Sequence, residues 1–287
     1  MLRSGLQRRH LERWRRGEAR RRQISVLASR QTELVSLACD DWIIIAGLSD
    51  GLAKVYNIDT GEFLTLLNCR LDQYDLSPTE DQVLLTIDIG QSLIVTASTE
   101  GVVIVRNRRT FGSVYRDTHH GDQPVVAIRL QGDLVVTGAR QEIIVLRHRT
   151  RQLGEGSNTV TGEYMELLHR LENIQYAGVI TCLDTDRESL VTGTSNSLAV
   201  WRLSSQQVTA SLNTGFVTAL LLLQPPLCLT VGTSPCVKLW DIASGQHLNT
   251  VGSNYYRSTH WSFYRRISIH AKSCLATVMP CRALQCP

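Results

Sequence analysis

The sequence lacks any apolar run long enough to cross a membrane as a helix. A representative apolar run, Ala219–Leu223, meets Gln224-Pro225-Pro226 well before the ~18 residues that a membrane span needs. The N-terminus also lacks the apolar stretch of a secretory signal. We therefore expect no membrane partner.

Cysteine patterns typical of metal sites and disulfide scaffolds are also missing. The eight cysteines form no CxxC pair and no Cys/His zinc spacing, so we expect no metal. Cys39, Cys182 and Cys228 stand among apolar residues, where a free thiol behaves as a small hydrophobe. This favours a reducing compartment and predicts a cytoplasmic or nuclear location.

Sequence signatures of catalysis are absent in the same way. No nucleophile elbow, P-loop or HExxH motif occurs, and the Ser, His and Asp residues are scattered. His119-His120 lies near Asp117 and Asp122, and we interpret it as part of a polar loop. The sequence therefore predicts a protein that is not an enzyme and uses no cofactor.

Basic charge is concentrated at the N-terminus. Residues 1–30 hold ten Arg and two Glu, a net charge of +8, whereas the whole chain is +4, so residues 31–287 sum to −4. A nucleic-acid-binding body needs a basic face. A nucleic-acid partner for this acidic body is accordingly not expected.

What the sequence does contain is one pattern repeated five times. Each copy has a short apolar run, a small residue, a polar turn and a second apolar run, with the small residues at Ala46, Ala97, Gly138, Gly193 and Gly232. Val, Ile and Thr dominate the runs, and four copies follow another short strand-like run. The pattern predicts an all-β fold, a β-propeller of five four-stranded blades over residues 24–252; a β-sandwich is the alternative.

The segment "VKLWDIASGQHL" (residues 237–248) resembles the closing half of a WD repeat, with Trp240-Asp241 as its signature pair. Tyr56-Asn57 and Trp201-Arg202 stand at the same place in degenerate copies, and the resemblance covers about residues 31–252. It implies a WD-repeat β-propeller. The Gly-His pair of that family is missing, with His119-His120-Gly121 as its nearest counterpart, so the family's internal hydrogen-bond network is not expected in full.

Residues 1–23 are predicted to form a short basic helix in which Trp14 packs against a neighbour. A basic helix leading into degenerate WD blades resembles the connector that follows the F-box in F-box/WD-repeat proteins. That resemblance implies substrate recognition for an SCF-type E3 ubiquitin ligase, with the Skp adaptor and cullin bound only through an F-box absent from this chain. A solvated basic helix, a nuclear localisation signal or RNA-contact patch, and a mitochondrial presequence are the alternatives.

Two further expectations concern the ends of the repeat region. Residues 253–287 carry no blade pattern and are predicted to be an atypical tail, poorly ordered or derived from an alternative exon. The "QISVLAS" run at residues 23–29 could supply an outer strand that clasps the ends together. Without further inner strands the fifth blade would present an apolar face to water, and the chain would need a partner or a further segment to close.

Recognition is expected at the top face of the propeller. In WD-repeat proteins the loops between the middle strands and between blades open there, which places Arg140 and Arg170 on the top, with Arg116 beside them. A guanidinium fork suits phosphate, so an anionic protein segment is the predicted partner. A second set of arginines is predicted at the bottom face as a basic patch: Arg106, Arg108, Arg109, Arg147, Arg149 and Arg151. A scaffold of a non-ubiquitin complex and an RNA-associated WD protein remain alternative functions.

Overall fold

The described residues form β-strands and turns, with no helix among them. The computed structural model describes Ile24, Val26 and residues 32–70, 85–153, 160–171, 178–223, 226–233 and 236–252. None of these residues lies in a helix that could span a membrane. The predicted connector helix with Trp14 and the predicted tail over 253–287 lie outside the described residues.

The strands form five four-stranded sheets, here called blades 1 to 5. Blade 1 contains β1 (Leu34–Cys39), β2 (Ile43–Leu48), β3 (Leu52–Asn57) and β4 (Phe63–Asn68). Blade 2 contains β5 (Leu85–Ile89), β6 (Leu93–Ser98), β7 (Val103–Asn107) and β8 (Ser113–Asp117). Blade 3 contains β9 (Val125–Gln131), β10 (Leu134–Ala139), β11 (Glu142–Leu153) and β12 (Val160–Leu171).

Blade 4 contains β13 (Ile180–Thr185), β14 (Ser189–Thr194), β15 (Leu198–Arg202) and β16 (Gln207–Leu212). Blade 5 contains β17 (Val217–Leu222), β18 (Leu227–Gly232), β19 (Cys236–Asp241) and β20 (Gln246–Gly252). Every blade is antiparallel, and its strands pair in chain order. The predicted all-β fold of five four-stranded blades is confirmed.

Apolar second strands form the centre of each blade. All side chains of β6 and β10 are buried, as the unbroken apolar runs predicted for strands covered on both faces. Four apolar clusters join consecutive blades, and one of them contains both Val55 of blade 1 and Ile94 of blade 2. Each fully buried Val, Leu or Ile contributes ~1.5–3 kcal/mol, so these clusters hold the blades together.

The innermost strands also share charged contacts. Arg129 of blade 3 lies between two aspartates, with Nε 2.5 Å from Asp184 Oδ1 and Nη1 3.7 Å from Asp88 Oδ2. The aspartates also accept hydrogen bonds from the next blade: Leu130 N donates to Asp88 (2.8 Å) and Leu222 N donates to Asp184 (2.9 Å). This strap links blades 2 to 5 through their inner strands.

The strand register corrects two of the five small-residue positions. Tyr56, Trp201 and Trp240 occupy the same place on their third strands, and each pairs with a residue of the second strand. The residue three positions after that partner is Gly47 in blade 1, Gly193 in blade 4 and Val231 in blade 5. The same count in blades 2 and 3 gives Ala97 and Gly138. Ala46 and Gly232 were therefore each wrong by one residue.

Close approach of the next blade explains why this position is small in four of the blades. A Cβ on Gly193 would lie 2.6 Å from Cys182 Sγ and 2.8 Å from Val217 Cγ1. Those atoms belong to the inner strands of blades 4 and 5. A larger side chain at this position would push the two strands apart.

The last blade is covered less well than the blade before it. Val191, Leu198 and Val200 of blade 4 face blade 5 and are at most 5% exposed. The corresponding face of blade 5 carries Leu229 and Leu239, which are only half-buried. Within the described strands, blades 1 and 5 share no contact comparable to those between consecutive blades.

The predicted clasp run contacts the first blade. The carbonyl of Val26 accepts a hydrogen bond from Lys54 Nζ on β3 (2.8 Å). Ile24 and Val26 carry no strand assignment. Closure of the ring through this run therefore stays a prediction.

Candidate functional site

A threonine hydroxyl at one fixed place on the second strand links each of blades 2 to 5 to another polar side chain. In blades 4 and 5 the indole N–H of a tryptophan donates to it: Trp201 to Thr192 (3.1 Å) and Trp240 to Thr230 (2.9 Å). Blade 1 has Ala46 at this place. The WD tryptophan thus ties its own strand to the second strand inside the core.

Blade 2 has an arginine where blades 4 and 5 have tryptophan. Arg106 pairs with Ile94 in the same register, and its Nη1 donates to the Thr96 hydroxyl at 2.9 Å. Arg106 is 6% exposed, which corrects its predicted place in a solvated bottom patch. The signal was present in the sequence, because Arg106-Asn107 stands where Trp240-Asp241 stands in blade 5.

The second residue of that pair stabilises the turn that follows. Asp241 Oδ1 accepts hydrogen bonds from the backbone N–H groups of residues 243 and 244, and Asn57 and Asn107 accept the corresponding bonds in blades 1 and 2. Hydrogen bonds from Ser244 and the backbone lower the pKa of Asp241. The degenerate copies therefore keep the turn even where the tryptophan has changed.

In blade 3 a buried histidine takes the tryptophan's part. His120 Nε2 lies 2.8 Å from Thr137 Oγ1, and its Nδ1 lies 2.7 Å from Glu142 Oε2. Burial lowers the pKa of His120, although Glu142 acts in the opposite direction. His120 does lie in the loop between β8 and β9, as interpreted, but its side chain is buried and bonded to blade 3.

The predicted top-face arginines Arg140 and Arg170 lie at one end of blade 3. Arg140 is exposed in the turn between β10 and β11, as predicted. Arg170 lies on the outer strand β12 rather than in the connection between blades, and its Nε donates to Glu142 Oε1 (2.5 Å) while Nη2 donates to the carbonyl of His119 (3.2 Å). The His120–Glu142 pair thus fixes Arg170 beside the Arg140 turn.

Arg116, the third predicted residue, contacts a different part of the propeller. It lies on β8 and is half-buried, and its Nη2 donates to the carbonyl of Arg70 at the end of blade 1. It lines a groove between blades 1 and 2 of about 320 Å³. Its guanidinium contacts blade 1, whereas Arg140 and Arg170 belong to blade 3.

Three of the six arginines predicted as a bottom patch are paired with carboxylates: Arg108, Arg147 and Arg149. Arg108 pairs with Asp40 and stacks on Trp42, with 5.7 Å between the guanidinium carbon and the ring centroid. Arg147, Arg149 and Arg151 lie on the long strand β11 rather than in loops, and Arg149 Nε lies 2.9 Å from Glu166 Oε2. These pairs reduce the free charge that a basic patch would need.

Blade 2 ends in a cluster of a tyrosine, a histidine and an aspartate. The Tyr115 hydroxyl donates to Asp117 Oδ2 (2.9 Å), contacts His119 Nε2, and has its pKa raised by burial and by Asp117.

Burial raises the pKa of the Cys228 thiol in blade 5 to about 12, which keeps it protonated. Within the described ranges no group of His, Cys, Asp and Glu is placed to hold a metal ion.

Comparison with known proteins supports the fold. No protein-family model matches the chain, and no curated protein matches it either. The computationally designed Ika8 protein aligns with a TM-score of 0.58 at 22% sequence identity, over 78% of this chain. The chain spans 63% of the Ika8 chain, less than two thirds of its length.

The structure of U3-55K, a WD-repeat protein, aligns with a TM-score of 0.60 at 15% identity, over 81% of this chain and 70% of that chain. Identities this low concern the fold alone. The repeated threonine hydrogen bonds, the capped turns and these two alignments all support the same fold. The chain folds as a WD-type β-propeller whose described part contains five blades.

Proposed function

We propose that this propeller is the substrate-recognition part of an SCF-type E3 ubiquitin ligase, with its substrate bound at the top end of blade 3. The fold itself is that of a protein-interaction module. The ligase role is supported by the resemblance of the basic N-terminal sequence and degenerate blades to F-box/WD-repeat proteins. We also propose a cytoplasmic or nuclear location, which the five free cysteines among the described residues support.

The observation that carries the recognition role is the exposed Arg140 beside Arg170. The exposed Arg140 side chain makes no hydrogen bond or ion pair with the other described residues. Glu142 and the His119 carbonyl hold Arg170 in one orientation, which lowers the entropy lost when it binds a ligand. An anionic segment of a partner protein matches the charge of Arg140, while Arg170, already paired with Glu142, is a second donor near that turn.

Binding of the purified Skp adaptor tests the ligase role. We expect residues 1–287 not to bind the adaptor, because the apolar F-box surface is missing, and a form carrying an F-box ahead of residue 1 to bind adaptor and cullin together. Stable binding of residues 1–287 to the adaptor would contradict this account of the N-terminus. Failure of the extended form to bind would overturn the ligase role.

The recognition surface is tested in that extended form by comparing the proteins ubiquitinated by wild type and by Arg140→Glu. We expect the charge reversal to abolish ubiquitination of the substrate while the unfolding midpoint stays unchanged, because exposed turn substitutions cost within ~0.5 kcal/mol. Arg187→Glu, in the exposed turn between β13 and β14, is the matched control. Equal ubiquitination by both variants would show that the substrate binds elsewhere.

A further inference from the structure

Arg106 is a buried positive charge that no carboxylate neutralises in the described part of the chain. Its hydrogen bonds to described residues go to neutral acceptors. Nη1 donates to Thr96 Oγ1 (2.9 Å) and to Cys69 Sγ (4.0 Å), and Nη2 donates to the carbonyl of Asn68. Buried charges in proteins are normally paired. A guanidinium has five N–H donors in a fixed fork, which an oxyanion can match with two parallel hydrogen bonds.

The groove of about 320 Å³ between blades 1 and 2 gives a ligand access to Arg106. Arg106 and Arg116 both line it, together with the hydroxyl groups of Thr65, Thr110 and Ser113. The described residues that line the groove include no Asp or Glu. Two arginines and three hydroxyl-bearing residues in the lining favour an oxyanion, because charge-assisted hydrogen bonds are strongest away from water.

The strand that borders the groove is the outer strand of blade 1. Among the described strands β4 pairs only with β3, and it exposes Phe63 (55%), Leu64 (38%) and Leu66 (38%). An edge strand offers free backbone N–H and C=O groups to an incoming strand. The six residues of β4 span ~20 Å, the length of a short extended peptide.

We propose that this groove binds an extended segment of a partner protein through an oxyanion, a carboxylate or phosphate, that pairs with Arg106. The segment lies along β4, its apolar side chains contact Phe63 and Leu66, and its anionic side chain enters the groove. This site is separate from the Arg140 turn of blade 3. It does not depend on the proposed ligase role.

The test measures binding of labelled peptides of about ten residues by fluorescence anisotropy. One peptide carries Glu at alternate positions among Val and Thr, a second carries phosphoserine there, and a third carries Gln as the neutral match. We expect both anionic peptides to bind, the neutral one to bind at least about tenfold more weakly, and affinity to fall with added salt. The stronger of the two identifies the source of the oxyanion.

Arg106→Trp restores the residue that blades 4 and 5 have at this place and removes the charge. We expect it to weaken anionic-peptide binding at least tenfold while the unfolding midpoint stays the same or rises. Leu66→Glu places a negative charge at the exposed edge without changing the core, so it tests the site even if Arg106→Trp does not fold. Leu248→Glu, at an exposed leucine on the outer strand β20 of blade 5, is its control.

The proposal is overturned if the neutral peptide binds as well as the anionic ones, or if Leu66→Glu and Leu248→Glu bind them equally. Binding of inorganic phosphate alone, with no peptide affinity, would overturn the peptide part. In the form extended by an F-box, Arg106→Trp is expected to bind the adaptor as wild type does, and Arg140→Glu is expected to have the same effect on ubiquitination in both. Loss of peptide binding at the groove is thus distinguished from loss of the ligase role.

Discussion

Replacing Arg129 with methionine should unfold the propeller more readily than any exposed substitution does. The change removes the counter-charge of Asp184, which is 1% exposed. Breaking a buried ion pair from one side costs ~3–5 kcal/mol, because the remaining charge stays buried. The expected loss is near the lower value, about 3 kcal/mol, since Asp184 keeps hydrogen bonds from Leu222 N (2.9 Å) and Thr185 N (3.0 Å).

Urea unfolding followed by tryptophan fluorescence measures this loss. The control is the double variant Arg129→Met/Asp184→Asn, in which the amide is neutral and can still accept a backbone hydrogen bond. If the buried charge causes the loss, the double variant should regain at least half of it. Asp88→Asn should cost less than Asp184→Asn, because Asp88 lies farther from the guanidinium and is more exposed.

Two results would refute this reasoning. A loss below about 0.5 kcal/mol in Arg129→Met would place the pair among surface ion pairs, which contribute little. A double variant as unstable as the sum of its single changes would show that the aspartate and the arginine act independently. In either case the apolar clusters alone would hold blades 2 to 5 together.

Three further predictions concern other parts of the propeller. Burial lowers the pKa of His120 below its ordinary value of 6.5, so the unfolded chain takes up the proton first and stability should fall as the pH drops below 6.5. The urea midpoint of His120→Asn should therefore fall less than that of wild type between pH 7 and pH 5. An equal fall in both proteins would contradict this prediction. Trp201→Phe should cost ~1–3 kcal/mol by removing the indole donor to the buried Thr192 hydroxyl, which keeps only a 3.5 Å hydrogen bond to the carbonyl of Ala199. Adding Thr192→Val should recover part of that loss, and no recovery would show that the indole hydrogen bond is not its cause. Leu198→Ala should cost ~2–5 kcal/mol and Leu239→Ala less than half as much, because the face of blade 5 is only half-buried; equal costs in urea melts would mean that blade 5 is covered as well as blade 4.

The sequence predicted the blades because their signals are local. Apolar β-branched runs separated by Gly, Asn and Asp turns determine strands and turns over a few residues each. The predicted position was wrong by one residue in two blades because a small residue stands next to the true position. Ala46 comes just before Gly47, and Gly232 comes just after Val231. Pattern alone does not show which of two neighbours faces the next blade, whereas strand pairing does.

The polar contacts were harder to predict, because their partners lie far apart in sequence. His120 and Glu142 are separated by 22 residues, and Arg129 and Asp184 by 55. A motif search finds His119-His120 but not which of the two is buried. The exposed turn position of Arg140 was predicted correctly because a turn between middle strands is again a local feature.

The threonine position shows how the chain can change one blade without losing the fold. The hydroxyl accepts from tryptophan in two blades, from arginine in one, and meets histidine in another. Each partner satisfies the same buried oxygen, so the core tolerates the exchange. The partners differ in what else they bring, because indole adds only apolar area while arginine adds a charge. The bond to Thr96 does not require that charge, and no carboxylate of the described residues pairs with Arg106. The proposed anion in the adjoining groove would therefore offset the cost of burying the charge.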